Sequence, residues 1–412
     1  MAALDGLKVI DLTRYLSGPT LTMLLADLGA DVIKIETLPT GDPARQSGPF
    51  HGDESVYYLA SNRNKRSFAV DLRQAEGRDL LLGLIDDADV FVQNFRPGTA
   101  DQMGLGAEVL RARNPRLIYV NISGFGTKPP GDALPGFDQT AQAMSGLMSV
   151  TGTQETGPLR VGIAISDSAT GVFAAVGVLA ALHERDRTGS GSVVESSLME
   201  STLTLMSYQA QKYLSLGIVP GRDGNDHPIM FPQGTFKTRD ASVTLASGNE
   251  KMWRRLCAVL NLDGLAEDVR FADNAGRMAN RVELRHLIED ALATRGAEEW
   301  IPLINDAGIP CGRVLDLEQA LTHPITAALG MVQTVEHPEL GTMKVLGQAV
   351  KVQGSENGWL RRPAPMLGEH TVEIAAELGI PASEITRLME AGIITGPVHV
   401  HPDPDRASNG GL

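Results

Sequence analysis

Residues 6–36 read GLKVIDLTRYLSGPTLTMLLADLGADVIKIE, and the order of patterns within them decides the fold. Lys8–Asp11 and Asp31–Glu36 are short β-branched runs, as strands buried on both faces require, and Thr20–Leu28 between them has helical apolar spacing. A strand, a helix and a strand in about 30 residues form a crossover unit with parallel strands. The pattern recurs outward. Val90–Gln93 and Leu117–Ile122 read as strands, Ser67–Leu72 is strand-like, and Gln74–Ile85 and Ala107–Arg113 read as helices. The fold class that follows is α/β, a Rossmann-like doubly wound parallel sheet.

Beyond residue 125 the chain is more helical, with Thr140–Val150, Ser168–Arg185 and Val194–Leu216 carrying the period. Gly234–Thr238 and Ser242–Ala246 then read as strands among helices. The expected organisation is a large α/β domain over 1–222, a smaller α+β domain over 223–325 and a return segment over 326–395. That segment is turns and short extended pieces as far as Met366, then helix over Gly368–Met389. Residues 396–412, GPVHVHPDPDRASNGGL, have the composition of a frayed tail.

The totals exclude several classes. A net charge of −14 argues against general binding to nucleic acid or anionic membranes. The opening MAALDGLKVIDLT has no basic segment ahead of an apolar core, so it reads as a first strand and not a signal peptide. No stretch reaches roughly 18 uninterrupted apolar residues; the richest, Val172–Leu182, reads as a short helix. The two cysteines, Cys257 and Cys311, give neither a disulfide framework nor zinc spacing, and a reducing cytoplasm is the expected setting.

Familiar signatures are missing. The first strand–helix turn, Asp11 to Pro19, lacks G-x-G-x-x-G, and the chain has no Walker P-loop and no G-x-S-x-G elbow. His399-Val-His401 with Asp403 resembles a chelating tract but lies in the tail, and no metal site is expected. The cluster Asn62-Arg-Asn-Lys-Arg66 reads by composition as a solvated turn, or else as a phosphate-facing loop. Asn94-Phe-Arg-Pro-Gly98 follows a strand directly, where an open α/β sheet keeps its ligand crevice, so Arg96 is a candidate contact. In Gly162-Ile-Ala-Ile-Ser-Asp-Ser-Ala-Thr-Gly171 an apolar run delivers Asp167 to a helix start. There it reads equally as an N-cap or as a nucleophile kept ionised by the helix dipole.

In order along the chain stand GLKVIDLTRYLSGP, LADLGADVIKIE, NRNKRSFAVDLR, VFVQNFRPG, NPRLIYVNISGFG, GFDQTAQAMSGLM, VGIAISDSATGVFAAVGVLAAL, GSVVESSL, AGIPCGRV and RRPAPMLGEH. This series resembles the family III CoA transferases, the group of formyl-CoA transferase and carnitine CoA-transferase. The resemblance implies an interlocked homodimer, each chain threaded through the other. It implies an aspartate nucleophile in a D-x-x-T-G setting, which falls on Asp167. It implies CoA-binding loops at Arg14, Tyr15, Leu16 and Ser17, at Val70, Leu72 and Arg73, and at Asn94, Phe95 and Arg96. Leu16, Tyr57, Phe137 and Asp138 would face the acyl group. CoA and acyl-CoA enter as substrates, with no permanently bound cofactor and no nucleic acid or membrane as partner.

The chemistry implied is transfer of CoA from an acyl-CoA, with succinyl-CoA as the donor to test, to a free carboxylic acid. It runs through an aspartyl anhydride and an aspartyl-CoA thioester, with backbone amides near Asp167 stabilising the oxyanions. The chain departs from formyl-CoA transferase in ways that disfavour a formyl/oxalate pair. Leu16 stands for a glutamine, Asp138 for a glutamate, and Gln102 and Pro135 for basic CoA contacts. Gly221 to Pro228 stands where that enzyme has a glycine-rich lid. Arg14, Arg73 and Arg96 are then left for the phosphates. Two rivals are an α-methylacyl-CoA racemase and a non-catalytic acyl-CoA binding protein. The racemases pair the same aspartate with a histidine at the position of Phe137, which cannot carry a proton.

Overall fold

The computed structural model describes residues 2–353 and 359–400. Seven strands form the central sheet: β1 (Lys8–Leu12), β2 (Asp31–Thr37), β3 (Lys65–Val70), β4 (Val90–Gln93), β5 (Ile118–Ser123), β6 (Val193–Ser197) and β7 (Ile394–Thr395). Their order is β6-β5-β4-β1-β2-β3-β7, parallel throughout except that β7 runs antiparallel to β3. The chain thus winds from β1 out to β3, returns beside β1 at β4, and winds the other way to β6. The reversal between β1 and β4 opens a crevice at their carboxyl ends, where doubly wound sheets bind ligands.

Helices cover both faces: α1 (Ser17–Asp27), α2 (Ala75–Asp86), α3 (Ala107–Arg113), α4 (Asp138–Met144), α5 (Ile165–Thr188), α6 (Leu198–Leu205), α7 (Thr371–Glu377) and α8 (Ala382–Glu390). The period-2 pleat of each strand feeds two cores. Ile10, Ile33, Phe68 and Phe91 meet Leu81 and Ile85 of α2, Ile374 of α7 and Leu388 of α8. Val9, Val32, Val90 and Val120 meet Leu21 and Leu25 of α1 and Ala174 and Val178 of α5. All of these strand residues are fully buried, which is why the strands are near-continuous apolar runs.

Several expectations need correction. Val194 does not begin a helix: residues 193–197 pair with Tyr119–Ser123 as β6. Ser197 then caps α6, accepting from the Glu200 amide at 3.1 Å. The helical run to 216 is also broken at Ser207, whose φ is 43°. Thr140–Val150 divides at Gly146, whose φ of 85° ends a helix. The apolar run at Val172–Leu182 belongs to a helix of 24 residues, long and apolar enough by length and composition to cross a membrane. Here it packs on the sheet beside α1. The chain also does not fray from 396: β7 joins the sheet edge, and Val398 bridges to Leu367. Residues 401–412 of the expected tail lie outside the described residues.

Two compact units divide the chain. The first comprises the described parts of Met1–Met148, Arg160–Ile218 and Leu329–Leu412, and the second Ser149–Leu159 with Val219–Ala328. A single large domain running unbroken through 222 therefore does not describe the chain. The hairpin of Gly152–Thr153 and Gly157–Pro158 bonds to the start of the second unit, Gly152 accepting from the Gly224 amide at 2.9 Å and Thr153 from Arg222 Nε at 3.0 Å. The second unit is α+β. Three antiparallel strands, Gln233–Lys237, Ser242–Ala246 and Cys311–Arg313, lie on a core that includes Trp253, Phe271, Ile288 and Trp300.

Candidate active site

The loop from Thr13 to Ser17 leaves β1 at the crevice, and buried charges fix its course. Asp11 Oδ1 accepts from the Thr13 amide and hydroxyl at 2.9 and 2.5 Å, and Lys34 Nζ donates to the Thr13 carbonyl at 2.9 Å. Asn94, at the end of β4, clasps Arg14 across the crevice: its Oδ1 accepts the Arg14 amide and its Nδ2 donates to the Arg14 carbonyl. Asp42 Oδ1 accepts the Tyr15 amide at 3.0 Å. Tyr15 has φ 65°, a left-handed conformation costing a non-glycine residue about 1 kcal/mol or more. The bonds on either side hold it there.

That loop delivers Ser17 to the first turn of α5, and the D-x-x-T-G spacing explains how the helices come so close. A Cβ at Gly171 would lie 2.8 Å from both the Ser17 carbonyl oxygen and the Thr20 Cβ. Thr170 folds its hydroxyl back onto the Ser166 carbonyl at 2.7 Å, which leaves the adjoining face free to pack. Asp167 stands in the first turn of α5 and lines a cavity of about 470 Å³ at the crevice. Arg14, Tyr15, Ser17, Tyr57 and Phe137 share that wall, with Asn94, Phe95 and Arg96 beyond them. Tyr15 meets Phe137 edge-on at 5.8 Å, and Arg14 lies over the Phe95 ring at 4.9 Å.

Asp167 is not an N-cap: Ala164 holds that position and makes no side-chain cap. Burial, and after it the carboxylate of Asp138, push the Asp167 carboxyl up to about 7, against a hydrogen bond from Ser17 that favours its charge. The expectation that the helix start keeps Asp167 ionised is corrected accordingly. The amides of Ser166 and Asp167 point at Asp138 Oδ1, at 2.8 and 3.4 Å, so that carboxylate takes the stabilisation and neither amide is left for an oxyanion. Burial, together with the charges of Asp167, Asp42 and Asp138, holds the Tyr57 phenol well above its ordinary range, so it stays neutral.

A second cavity, about 740 Å³, shares Arg14 with the first and is lined by Leu72, Arg73, Arg78 and Gln102 among others. Arg73 pairs with Asp71 at 2.8 Å, while Arg78 donates to the carbonyls of Leu72 and Arg73 at 3.0 and 2.9 Å. The residues drawn from the sequence thus separate. Arg14, Tyr15, Ser17, Tyr57, Asn94, Phe95, Arg96, Phe137 and Asp167 line the first cavity, and Leu72 and Arg73 the second. Leu16, Val70 and Asp138 line neither. Val70 is fully buried in the sheet, where only its backbone can act, and Asp138 faces the start of α5 instead of the cavity. Gln102 and Pro135, where basic contacts are missing, line the second and the first cavity.

Two features escape the sequence reading. Arg78 lies on a helix as one charge among many, with nothing local to mark it. The 62–66 cluster is neither a solvated turn nor a phosphate loop. Arg63 is paired with Asp27 at 2.6 Å, Lys65 with Asp11 at 3.1 Å, and Arg66 with Asp31, Glu373 and Glu377, all three cations buried. In the expected chelating tract, His399 Nε2 lies 3.1 Å from Glu339 Oε1, and His401 and Asp403 lie outside the described residues.

Comparison with known proteins adds a family and two kinds of relative. The model of CoA-transferase family III matches residues 4–371. An acetyl-CoA:oxalate CoA-transferase of Acetobacter aceti is 39% identical over 381 residues, covering 92% of this chain and 97% of its own. A succinyl-CoA:glutarate CoA-transferase of Homo sapiens is 36% identical over 396 residues, covering 95% and 90%. The crystal structure of a CAIB/BAIF family protein from Brucella suis superposes with a TM-score of 0.82 at 36% identity, over 92% of this chain and 99% of that one.

Proposed function

The chain belongs to CoA-transferase family III, and from that premise we propose that it moves CoA from succinyl-CoA to a free dicarboxylic acid through the carboxylate of Asp167. The observation that carries this reading is the position of Asp167. It is a half-buried carboxylate on the wall of the crevice cavity, and no cation is among the causes that shift its charge. A carboxylate so placed keeps its nucleophilicity, whereas one paired to arginine gives it up.

In the first step an Asp167 oxygen attacks the donor thioester carbonyl. A C–O bond forms, the C–S bond breaks, and the electron pair leaves with sulfur as CoA thiolate. The thiolate attacks the aspartyl carbonyl of the mixed anhydride, releasing the donor carboxylate and leaving Asp167 as its CoA thioester. The acceptor carboxylate attacks that thioester and expels thiolate, which then attacks the acceptor's acyl carbon. The products are the new acyl-CoA and free Asp167. Each step exchanges one activated acyl bond for another, so the reaction balances without a further reactant. Thiolate held beside the anhydride favours return over hydrolysis.

The nucleotide end of CoA would lie in the second cavity, its phosphates met by Arg14, Arg73 and Arg78, and Arg96 would meet the part nearer the thioester. Oxalate and glutarate, named for the two relatives, make a dicarboxylic acceptor the class to test here. An interlocked homodimer in the cytoplasm completes the reading. The apolar residues exposed on α5, Val172, Phe173, Val176 and Leu179, are what a second copy would cover. A racemase finds no support at position 137, where Phe137 is exposed and carries no base.

The test is exchange followed by mass spectrometry: purified protein, succinyl-CoA and a panel of free mono- and dicarboxylic acids. A new acyl-CoA with a dicarboxylic acid is the expected result. Conversion of monocarboxylic acids alone would refute the acceptor class. Silence with every acid, together with α-proton exchange of a 2-methylacyl-CoA in deuterated water, would refute transfer itself.

A further inference from the structure

The motif GFDQTAQAMSG, residues 136–146, has no role in the transfer steps above, yet its first helical turn grips the start of the nucleophile's helix. Asp138 opens α4 and sends Oδ1 across to α5, where it accepts from the amides of Ser166 at 2.8 Å and Asp167 at 3.4 Å. Its other oxygen, Oδ2, accepts from Gln142 Nε2 at 2.7 Å, one helical turn on. Gln142 is fully buried and completes the grip on the approach to α5. Nε2 also donates to the Ile163 carbonyl at 3.2 Å, and Oε1 accepts the Val161 amide at 2.8 Å. An amide is required at 142, because that one side chain must donate to two oxygens and accept from an N–H.

We infer that Asp138, braced by Gln142, is a positioning residue of the transfer reaction that caps α5 in place of a residue of its own and sets a fixed negative charge beside Asp167. The inference rests on the reading of Asp167 as nucleophile. Its chemical consequence follows from charge. Two carboxylates at one helix start repel while Asp167 is ionised, and acylation of Asp167 to anhydride or thioester removes its charge and with it the repulsion. Asp138 therefore favours the acylated enzyme over the free one.

The titratable and charged groups beside Asp167 or on its cavity come from several elements: Asp138 from α4 acts on it, and the neutral Tyr57 of the short helix Val56–Leu59, Tyr15 and Arg14 of the β1–α1 loop and Arg96 of the loop after β4 line the cavity. Asp42 lies near Tyr57 and is paired with Lys34 at 2.9 Å. Of these, Asp138 alone adds repulsion to the effect of burial on Asp167. Ionised Asp167 attacks the thioester, so kcat/KM for the donor rises as pH rises through about 7.

The experiment compares Asp138→Asn, Asp138→Ala and Asp167→Ala in the full chain, measuring kcat/KM for succinyl-CoA from pH 5.5 to 9 at constant ionic strength. The asparagine can still accept both amides through Oδ1 but has no charge, and its Nδ2 no longer accepts from Gln142 Nε2. Its acid limb is expected to move to lower pH by roughly half a unit to one unit, with a plateau no more than about tenfold below the parent. Asp138→Ala loses the cap as well, and its plateau is expected to fall further, roughly tenfold to a hundredfold below the parent. An Asp138→Asn profile that superimposes on the parent, with Asp167→Ala inactive, overturns this inference and leaves the nucleophile standing. Turnover by Asp167→Ala overturns both together. Should Asp138→Ala fail to fold, the shift in Asp138→Asn decides the matter alone.

Discussion

Two groups of charges stand in the same unit, and they behave in opposite ways. Beneath the Thr13–Ser17 loop the carboxylates have cations. Asp11 meets Lys65, Asp42 meets Lys34, and Glu36 takes Arg45 in a two-pronged pair at 2.8 and 2.7 Å with the guanidinium stacked on Tyr58. At the cavity the arrangement is reversed. Asp167 has another carboxylate for a neighbour, while Arg14 and Arg96 line the wall with no ion pair among the described residues. Burial opposes the charge of Glu36 and of Asp167 alike, so for these two carboxylates pairing makes the difference. A matched buried charge fixes backbone, and an unmatched one is left available for a ligand or a reaction.

The largest effect expected on the unmatched side is from Asp167→Ala or Asp167→Asn. Transfer should fall by at least about 10⁴-fold while CoA binding, followed by calorimetry, persists. On the matched side, Arg45→Met strands Glu36 without its partner in the interior, and the fold should lose about 3–5 kcal/mol. Thermal and denaturant unfolding measure that loss. An unchanged midpoint would dissolve the contrast, since the pair would then be ornament and not scaffold. Arg96→Ala should leave the midpoint alone and weaken CoA affinity about tenfold, an effect that shrinks as salt rises.

The smallest expected effect is also the one with opposite signs. Against burial, which opposes its charge, Arg45 with help from Lys34 and Ser67 holds the Glu36 carboxyl down to about 2, so its contribution to stability is complete above the ordinary carboxylate range and is lost only as pH falls toward 2. Asp167, raised to about 7, does the reverse. Its contribution is present below the ordinary carboxylate value and is lost as pH rises through 7. Asp167→Asn should therefore raise the melting temperature by a few degrees at pH 8 and by clearly less at pH 5, where only part of the penalty has developed. Equal gains at both values would mean that Asp167 is not penalised for ionising.

How much of this is legible in the sequence follows the same division. Lys8–Leu12, Asp31–Thr37 and Val90–Gln93 announce themselves because strands buried on both faces must be β-branched and apolar. Val193–Ser197 does not, because only its pairing with Tyr119–Ser123 makes that run a strand and not the head of α6. Two residues, Ile394 and Thr395, are too few to carry any period. Of the residues lining the cavity, Asn94, Arg96 and Asp167 stand in stretches that can be singled out from the residues alone, while Arg14 enters only through the family resemblance. Lys65 and Arg63 mislead, because their partners Asp11 and Asp27 are 54 and 36 residues away in sequence and a local reading sees only bare positive charge. Asp138 is expected at the thioester through the family resemblance alone, and the amides it caps belong to another helix, so no local pattern marks that contact.

The most direct test of the central claim is chemical trapping. The protein is mixed with succinyl-CoA alone, quenched with hydroxylamine, digested and mapped by mass spectrometry. The account predicts a hydroxamate on the peptide carrying Asp167 and on no other carboxylate, and none when the donor is withheld. A hydroxamate on a different residue, or none while transfer continues undiminished, would contradict it.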